Sequence, residues 1–325
     1  MSHPLETKVF DPADGFAPLT DPVEVTDPTI FRRGSQWWMA VATEVANRPA
    51  IQLATASLPD GAPLSARGWR LTADARDPLL IAVLPQEHSA SWDLNGGRHC
   101  PSYVKGWDPL AGREVERIYY AGAAEHLWGP YTIGYLEWDG ERWVDQPAPA
   151  FLATESWEHG SVYEPNLIYT DGKWRLWYVA GANQDDYLVH GYAESEDGRT
   201  NWSRHQIFAP PELKMFDFRV LAAGSGYEAV FSRVCVRGEP PPETGLWWCR
   251  SDTPSPRLED WSAPVQIMTA ADRGWHAGPW KPSAHRSETD PSRLLIFFSG
   301  TYSRHDGSPF PFVFTLGCLD YFIGK

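Results

Sequence analysis

A pattern of four residues occurs five times along this chain, at places far apart in the sequence. Each copy begins with a charged residue or a cysteine, usually continues with proline, and ends with a small or polar residue followed by an apolar one. The copies are Asp27-Pro28-Thr29-Ile30, Cys100-Pro101-Ser102-Tyr103, Glu164-Pro165-Asn166-Leu167, Asp217-Phe218-Arg219-Val220 and Lys281-Pro282-Ser283-Ala284. They begin 73, 64, 53 and 64 residues apart. Repeats of this length built from short strands are typical of radial arrays of sheets, so the pattern predicts an all-β, five-bladed β-propeller.

The segment that follows the third copy indicates how one blade is built. An apolar run up to Thr170 leads into Asp171-Gly172-Lys173, and the aromatic-rich run Trp174–Val179 follows. Asp-Gly between two apolar runs is a strong hairpin signal. The runs Leu188–Ser195 and Trp202–Phe208 complete four antiparallel strands. The same plan fits the other copies, so we expect a single propeller domain over residues 1–325 with four antiparallel strands in each blade.

Two parts of this plan are less regular. The opening of blade four lacks proline, and its distance from blade three is the shortest of the four spacings. The segment 73–97, ahead of blade two, is long enough to hold an extra loop. Either Lys8–Phe10 or Tyr321–Ile323 is expected to supply the strand that closes the ring.

Charge and cysteine content limit the classes of partner. The net charge is −14 and the pI about 5.1, which disfavours nucleic acid and anionic membranes because phosphate binding needs clustered lysine and arginine. No apolar run approaches the length of a membrane span. Residues 1–11 lack a basic start followed by an apolar stretch, so no secretory signal is expected. The four cysteines form no C-x-x-C pair, and reduced thiols in the cytoplasm are the expectation.

The repeat also predicts where the chemistry lies. In a propeller the innermost strand of each blade starts near the central channel, so Asp27, Cys100, Glu164, Asp217 and Lys281 should surround one funnel. Three of the five are carboxylates, and like charges in one cavity raise each other's pKa. Glycoside hydrolysis uses that effect, because one carboxyl group must stay protonated while another stays ionised.

Other residues near the five openings are candidates for binding substrate. Lys281 would either neutralise the acids or bind a carboxylate or phosphate of the substrate, and the same two roles are open for Arg219, whose planar guanidinium suits a carboxylate. His99 does not form a nucleophilic pair with Cys100 merely by being adjacent, and Cys100 is expected to be a small residue of the funnel wall. The full set of substrate-binding candidates is Arg219, Lys281, His276, Trp280, Cys100 and His99.

Several sequence segments resemble the strand–turn–strand unit of one enzyme superfamily. They are Glu164–Tyr169, Asp171-Gly172-Lys173, Leu176–Gly181, Ser195–Gly198 followed by Trp202, and Trp128-Gly129-Pro130. Together with acids that open blades one, three and four, they resemble the furanosidase-type five-bladed glycoside hydrolases of families 43, 32, 68 and 130. The similarity covers nearly the whole chain as architecture.

The resemblance implies roles for the three acids. In the family-43 pattern Asp27 would be the general base, Glu164 would orient and tune, and Asp217 would be the general acid. This chain departs from the pattern, because glutamate replaces aspartate in blade three, aspartate replaces glutamate in blade four, and the usual Glu-Gly-Pro is absent there. An alternative has Glu164 as acid and Asp217 as the third carboxylate. The resemblance also implies that His276 lies near an axial ion or water.

The sequence therefore predicts a glycosidase-like enzyme that cleaves or transfers a glycosyl unit of a small soluble sugar or glycoside. Two alternatives stay open, a biosynthetic enzyme that runs a non-hydrolytic acid–base reaction in the same funnel and a non-catalytic glycan-binding propeller. The expected partner is a small carbohydrate-like molecule. No cofactor is expected, and an axial metal ion is left open.

Overall fold

The structure is a computed structural model that describes residues 5–9, 22–45, 51–65, 67–77, 79–85, 92–93, 97–125, 129–181, 188–233, 242–269, 279–303 and 312–323. Five sheets of four antiparallel strands account for most of these residues, and no α-helix occurs among them. The five-bladed propeller predicted from the repeat is confirmed.

Each blade is a run of consecutive strands, with one exception at the ring closure. The first strand, β1 (Leu5–Lys8), belongs to the last blade. Blade one contains β2 (Pro22–Arg33), β3 (Gln36–Val45), β4 (Gln52–Ser57) and β5 (Arg70–Leu71). Blade two contains β6 (Gly97–Asp108), β7 (Arg113–Ala123), β8 (Tyr131–Trp138) and β9 (Trp143–Asp145). Blade three contains β10 (Val162–Thr170), β11 (Lys173–Ala180), β12 (Val189–Ser195) and β13 (Ser203–Ala209).

The remaining two blades complete the ring. Blade four contains β14 (Met215–Ala223), β15 (Gly226–Arg233), β16 (Gly245–Ser251) and β17 (Val265–Thr269). Blade five contains β18 (Pro279–Arg286), β19 (Arg293–Ser303) and β20 (Phe312–Phe322), with β1 as its outer strand. Both segments considered for ring closure therefore take part, since β20 includes Tyr321 and β1 includes Lys8. The ring is closed because β1 and β20, from opposite ends of the sequence, pair in one sheet.

The repeated pattern lies within the inner strands rather than at their starts. On β2, Thr26 pairs with Ala42 and Thr29 with Ala40, so three steps on one strand oppose two on the other. The same offset occurs at the motif in each of the other inner strands, β6, β10, β14 and β18. One extra residue on one strand is a β-bulge, and ladder pairing resumes on both sides of it. The expectation that the motif opens the strand was therefore wrong, because the strand begins before the bulge.

The third position of the motif joins neighbouring blades. Its side-chain oxygen accepts a hydrogen bond from the backbone N–H of the fourth position in the next blade. The four bonds are Tyr103 N to Thr29 Oγ1 at 3.3 Å, Leu167 N to Ser102 Oγ at 3.2 Å, Val220 N to Asn166 Oδ1 at 3.0 Å and Ile30 N to Ser283 Oγ at 3.4 Å. We call this set the inter-blade belt. Blade four has Arg219 at this position, and a guanidinium cannot accept a hydrogen bond.

Apolar side chains fill the spaces between the sheets. Between blades two and three, for example, Tyr119, Trp174 and Tyr178 are completely buried in one cluster. Gly191 has no room for a side chain, because a Cβ there would lie 2.4 Å from the ring of Tyr178. Among the described residues no helix is long and apolar enough to cross a bilayer.

Candidate active site

The first residues of the five motifs share an uncommon backbone conformation. Asp27, Cys100, Glu164, Asp217 and Lys281 all have positive φ, between 50° and 56°. This left-handed region costs a residue with a Cβ about 1–2 kcal/mol, so five copies indicate a requirement beyond stability. At each bulge the strain is associated with a side chain that is at most 9% exposed. The bulges thus bring together the five residues that the repeat predicted to converge.

Lys281 lies between the anions of this cluster. Its Nζ is 3.0 Å from Asp27 Oδ1, 2.9 Å from Glu164 Oε1 and 3.5 Å from Cys100 Sγ. Burial alone would lower the pKa of Lys281, but Asp27, Cys100 and Glu164 outweigh it and hold that pKa well above its usual value. Lys281 is therefore a permanent ammonium.

Asp27 is held by donors on both carboxylate oxygens. Thr26 Oγ1 donates to Oδ1 at 2.8 Å, beside Lys281, and the backbone N–H of Cys100 donates to Oδ2 at 2.9 Å. Ser299 accepts the backbone N–H of Asp27 at 3.0 Å and contacts the Thr26 hydroxyl. A carboxylate offers about four lone-pair positions, so Oδ2 retains one that could take a proton from a water molecule.

Glu164 and Asp217 form a coupled pair with opposite protonation states. Burial alone would raise the pKa of Glu164, but the Lys281 ammonium outweighs it and lowers that pKa from 4.5 to about 2. Burial, and next the charge of Glu164, raise the pKa of Asp217 well above 3.8. The pair thus favours the ionised form of Glu164 and the protonated form of Asp217. A hydrogen bond between the two side chains contributes to both shifts, and Glu164 Oε2 and Asp217 Oδ1 have no other hydrogen-bond partner among the described residues.

Cys100 and His99 add neutral groups to the site. Burial, followed by the charges of Asp27 and Glu164, raises the pKa of the Cys100 thiol, which donates to Glu164 Oε1 at 2.8 Å. Burial and then Lys281 lower the pKa of His99 from 6.5 to about 4. His99 Nδ1 contacts Cys100 Sγ. Because the thiol proton of Cys100 is used in the hydrogen bond to Glu164, the proton in this contact lies on Nδ1, which donates to Sγ. His99 Nε2 is then a buried acceptor with no partner among the described residues.

The guanidinium of Arg219, on blade four, reaches the backbone of two other blades. Its Nη1 donates to the carbonyl of Pro165 at 3.0 Å and to that of Pro101 at 3.4 Å. Both prolines directly follow motif residues, so the guanidinium joins blades two, three and four. Arg219 is only 6% exposed.

Aromatic rings surround most of the site. Phe216 and Trp280 stack at 5.8 Å with nearly parallel planes, and Tyr163 lies 6.2 Å from Phe216. Tyr131 packs between Tyr163 and His99, at 5.1 Å and 4.9 Å. Because residues 99, 163, 216 and 280 each precede a motif residue, the bulge places an aromatic ring beside each buried polar group in blades two to five. Blade one has Thr26 there instead.

Of two further histidines, one was predicted from the sequence and the other was found only in the structure. His276 lies outside the described residues. His190, which the sequence analysis missed, is buried on β12, accepts the backbone N–H of Phe218 at Nε2, and has its pKa lowered by burial to about 3. Nothing in the repeat marks His190, because it lies on a third strand, away from the motif.

The donor set does not fit a resident metal ion. Asp27, His99 and Cys100 offer ligand atoms within 4.8 Å of one another. The Lys281 ammonium, however, already contacts Asp27 and Cys100, and it stands where a cation would bind. A metal ion would have to displace a charged group that both carboxylates hold.

Comparison with known proteins gives fold similarity alone. No family model and no curated protein sequence matches this chain. Among solved structures, the catalytic domain of a family-62 α-L-arabinofuranosidase from Coprinopsis cinerea is similar with a TM-score of 0.63 and 13% identity, over 92% of this chain and 91% of that one. Zg3597, a family-117 glycoside hydrolase of Zobellia galactanivorans, has a TM-score of 0.62 and 13% identity, over 98% and 90%. A thermostable family-43 glycoside hydrolase has a TM-score of 0.59 and 15% identity, over 92% and 90%.

Proposed function

We propose that this chain is a glycoside hydrolase or a related glycosyl-transferring enzyme, with its active centre at the five bulges. The observation that carries the proposal is the buried pair of Glu164 and Asp217, in which the pKa of Glu164 is lowered and the pKa of Asp217 is raised. Glycosyl transfer needs one carboxyl group that is still protonated at working pH and another that is not. The propeller glycoside hydrolases that share this fold support the substrate class.

In this mechanism Asp217 is the general acid. It gives to the glycosidic oxygen the proton that it otherwise shares in a hydrogen bond with Glu164. Glu164 keeps Asp217 protonated through its charge and is unsuited to be the donor, since its own pKa is about 2. Of the two assignments that the sequence left open, this one agrees with the electrostatics.

Asp27 is the general base in the same proposal. Its carboxylate is held in place by Thr26 and by the Cys100 N–H, and one lone pair of Oδ2 remains to accept a proton from water. His99 Nε2 is a bare acceptor suited to a sugar hydroxyl. The stacked rings of Phe216 and Trp280 suit the apolar face of a sugar ring.

The test is a panel of 4-nitrophenyl furanosides and pyranosides of both anomers, with product analysis. We expect release of nitrophenol from at least one substrate. Asp27→Asn and Glu164→Gln should each lower kcat/KM by about 10²–10⁴-fold while the protein stays folded. Asp171→Asn, at an exposed turn, is the control and should have no effect. Wild-type rates in both variants would overturn the mechanism.

A second candidate is a non-hydrolytic acid–base reaction on a carbohydrate-like molecule. The observation that favours it is burial, because Asp27, Glu164 and Asp217 are each at most 1% exposed and bulk water does not reach them directly. The same product analysis separates the two, since an eliminated or rearranged product would replace the free sugar.

A further inference from the structure

The three protons of the Lys281 ammonium are matched by three acceptors from the protein itself. They are Asp27 Oδ1, Glu164 Oε1 and Cys100 Sγ, each on a different blade. A lysine ammonium has three donors and no acceptor. No proton is left over for a carboxylate or phosphate of a ligand, so of the two roles that the sequence suggested for Lys281 the contacts favour neutralising the acids.

We infer that Lys281 is a positioning residue, the site's own cation, which takes the place of a metal ion and is the shared counter-ion of Asp27 and Glu164 on either side of it. The inference rests on the proposed function, because it concerns how the same centre is kept in its working charge state. It assigns Lys281 a role through the two carboxylates rather than a contact with substrate.

Lys281 faces titratable groups from the four other blades. They are Asp27 from β2, His99 and Cys100 from β6, Glu164 from β10, and Asp217 from β14. Burial favours the neutral forms of His99, the Cys100 thiol and Asp217. Because its three donors all point to groups of the protein, Lys281 favours an uncharged glycoside over a uronate or a sugar phosphate.

The position of the ammonium also accounts for the proton on Asp217. Glu164 stays ionised because Lys281 contacts it, and the charge of Glu164 in turn favours the protonated form of Asp217. Removing the ammonium leaves Asp27 and Glu164 as two buried anions without their shared partner. Buried charges that lose their partner neutralise by taking up a proton.

The experiment compares carboxyl protonation in the wild type, Lys281→Met, Lys281→Arg and Lys173→Met by infrared difference spectroscopy, with and without hydrogen–deuterium exchange. At neutral pH we expect one additional protonated carboxyl group in Lys281→Met and none in Lys281→Arg, which retains the charge. Lys173 also pairs with a buried carboxylate, Glu194, but is 45% exposed, so Lys173→Met controls for loss of a lysine. It should leave the carboxyl bands unchanged.

An unchanged carboxyl spectrum in Lys281→Met would overturn the inference. If Lys281→Met does not fold, Asp27→Asn/Lys281→Met removes one anion together with the cation, and Glu164 should then be protonated. An ionised Glu164 there would equally overturn it. Neither spectrum requires turnover. The inference about Lys281 can therefore fail while the proposed activity is supported, and the proposed activity can fail while the inference is supported.

Kinetics add a second readout if the wild type is active. The acidic limb of kcat/KM should move to higher pH in Lys281→Met, because Glu164 loses the ammonium that lowers its pKa. KM for an uncharged glycoside should change much less than kcat. A loss confined to KM would indicate substrate binding by Lys281 and contradict the inference.

Discussion

The hydroxyl of Ser102 accepts a hydrogen bond from the backbone N–H of Leu167, at 3.2 Å, across the boundary between blades two and three. This bond is one member of the inter-blade belt, and it explains why the third motif position is small or polar. At four of the five blade boundaries the belt fixes one inner strand against the next, just beyond the bulge. The relative positions of the site carboxylates therefore depend on hydrogen bonds between blades, made by groups that are not part of the proposed substrate site.

Removing one belt acceptor should destabilise the fold. Ser102→Ala leaves the buried Leu167 N–H without a partner, and the expected cost is about 1–3 kcal/mol of unfolding free energy. Urea denaturation measures it. Ser262 accepts the N–H of Arg250 at an exposed position, so Ser262→Ala should cost less than about 0.5 kcal/mol. Equal losses of unfolding free energy in the two variants would show that the belt bond stabilises the fold no more than an exposed hydrogen bond does.

Asp217→Asn should change the pH dependence of stability. The folded-state pKa of Asp217 is raised by burial and by Glu164, so its stability contribution is full below about pH 4 and is lost as pH rises through the raised pKa. Asparagine does not titrate, so the unfolding free energy of the variant should increase relative to that of the wild type as pH rises from about 4 to 8. Urea titrations at several pH values measure the difference, and a difference that is flat with pH would contradict the assignment.

His99 and His190 should make the fold sensitive to acid. Their pKa values are lowered to about 4 and about 3, so the stability they contribute is present above about pH 6.5 and is lost as pH falls below it. Each neutral histidine adds about 1.4 kcal/mol per pH unit to the slope between pH 6.5 and 4. His99→Asn and His190→Gln should each reduce that slope by this amount, and an unchanged slope would contradict it.

Cys100 should be inert to thiol reagents in the folded protein. Burial and two carboxylates raise the pKa of the thiol, which is completely buried, and only the thiolate is the nucleophile. Iodoacetamide at pH 8 should leave Cys100 unmodified in buffer and modify it in urea, as peptide mass spectrometry will report. Rapid alkylation of native Cys100 would indicate a thiolate and a different charge state for the whole centre.

The repeat predicted the positions of the convergent residues but not what each of them contacts. Asp27, Glu164 and Asp217 occupy equivalent strand positions, and equivalence alone was enough to bring them together. The pairing of Lys281 with two of them depends on side-chain conformations that no spacing encodes. Arg219 donates to two proline carbonyls, and a pattern of side chains does not reveal contacts with backbone carbonyls.

The same limit applies to residues off the motif. Tyr131 and His190 lie on third strands, and only the packing of blade against blade brings them beside the motif residues. The belt, by contrast, could have been predicted, because Thr29, Ser102, Asn166 and Ser283 occupy the same place in four of the five copies. The signal was a side-chain acceptor at the same position of the motif in each of these copies.

The most direct test of the account measures how the loss in Asp217→Asn depends on the leaving group. A general acid matters most when the departing oxygen is a poor leaving group, because a good one departs without a proton. With matched glycosides of the preferred sugar, kcat/KM should fall by about 10²–10⁴-fold for an alkyl aglycone and by less than about tenfold for 2,4-dinitrophenyl. Equal losses on both substrates would contradict the assignment of Asp217 as the proton donor.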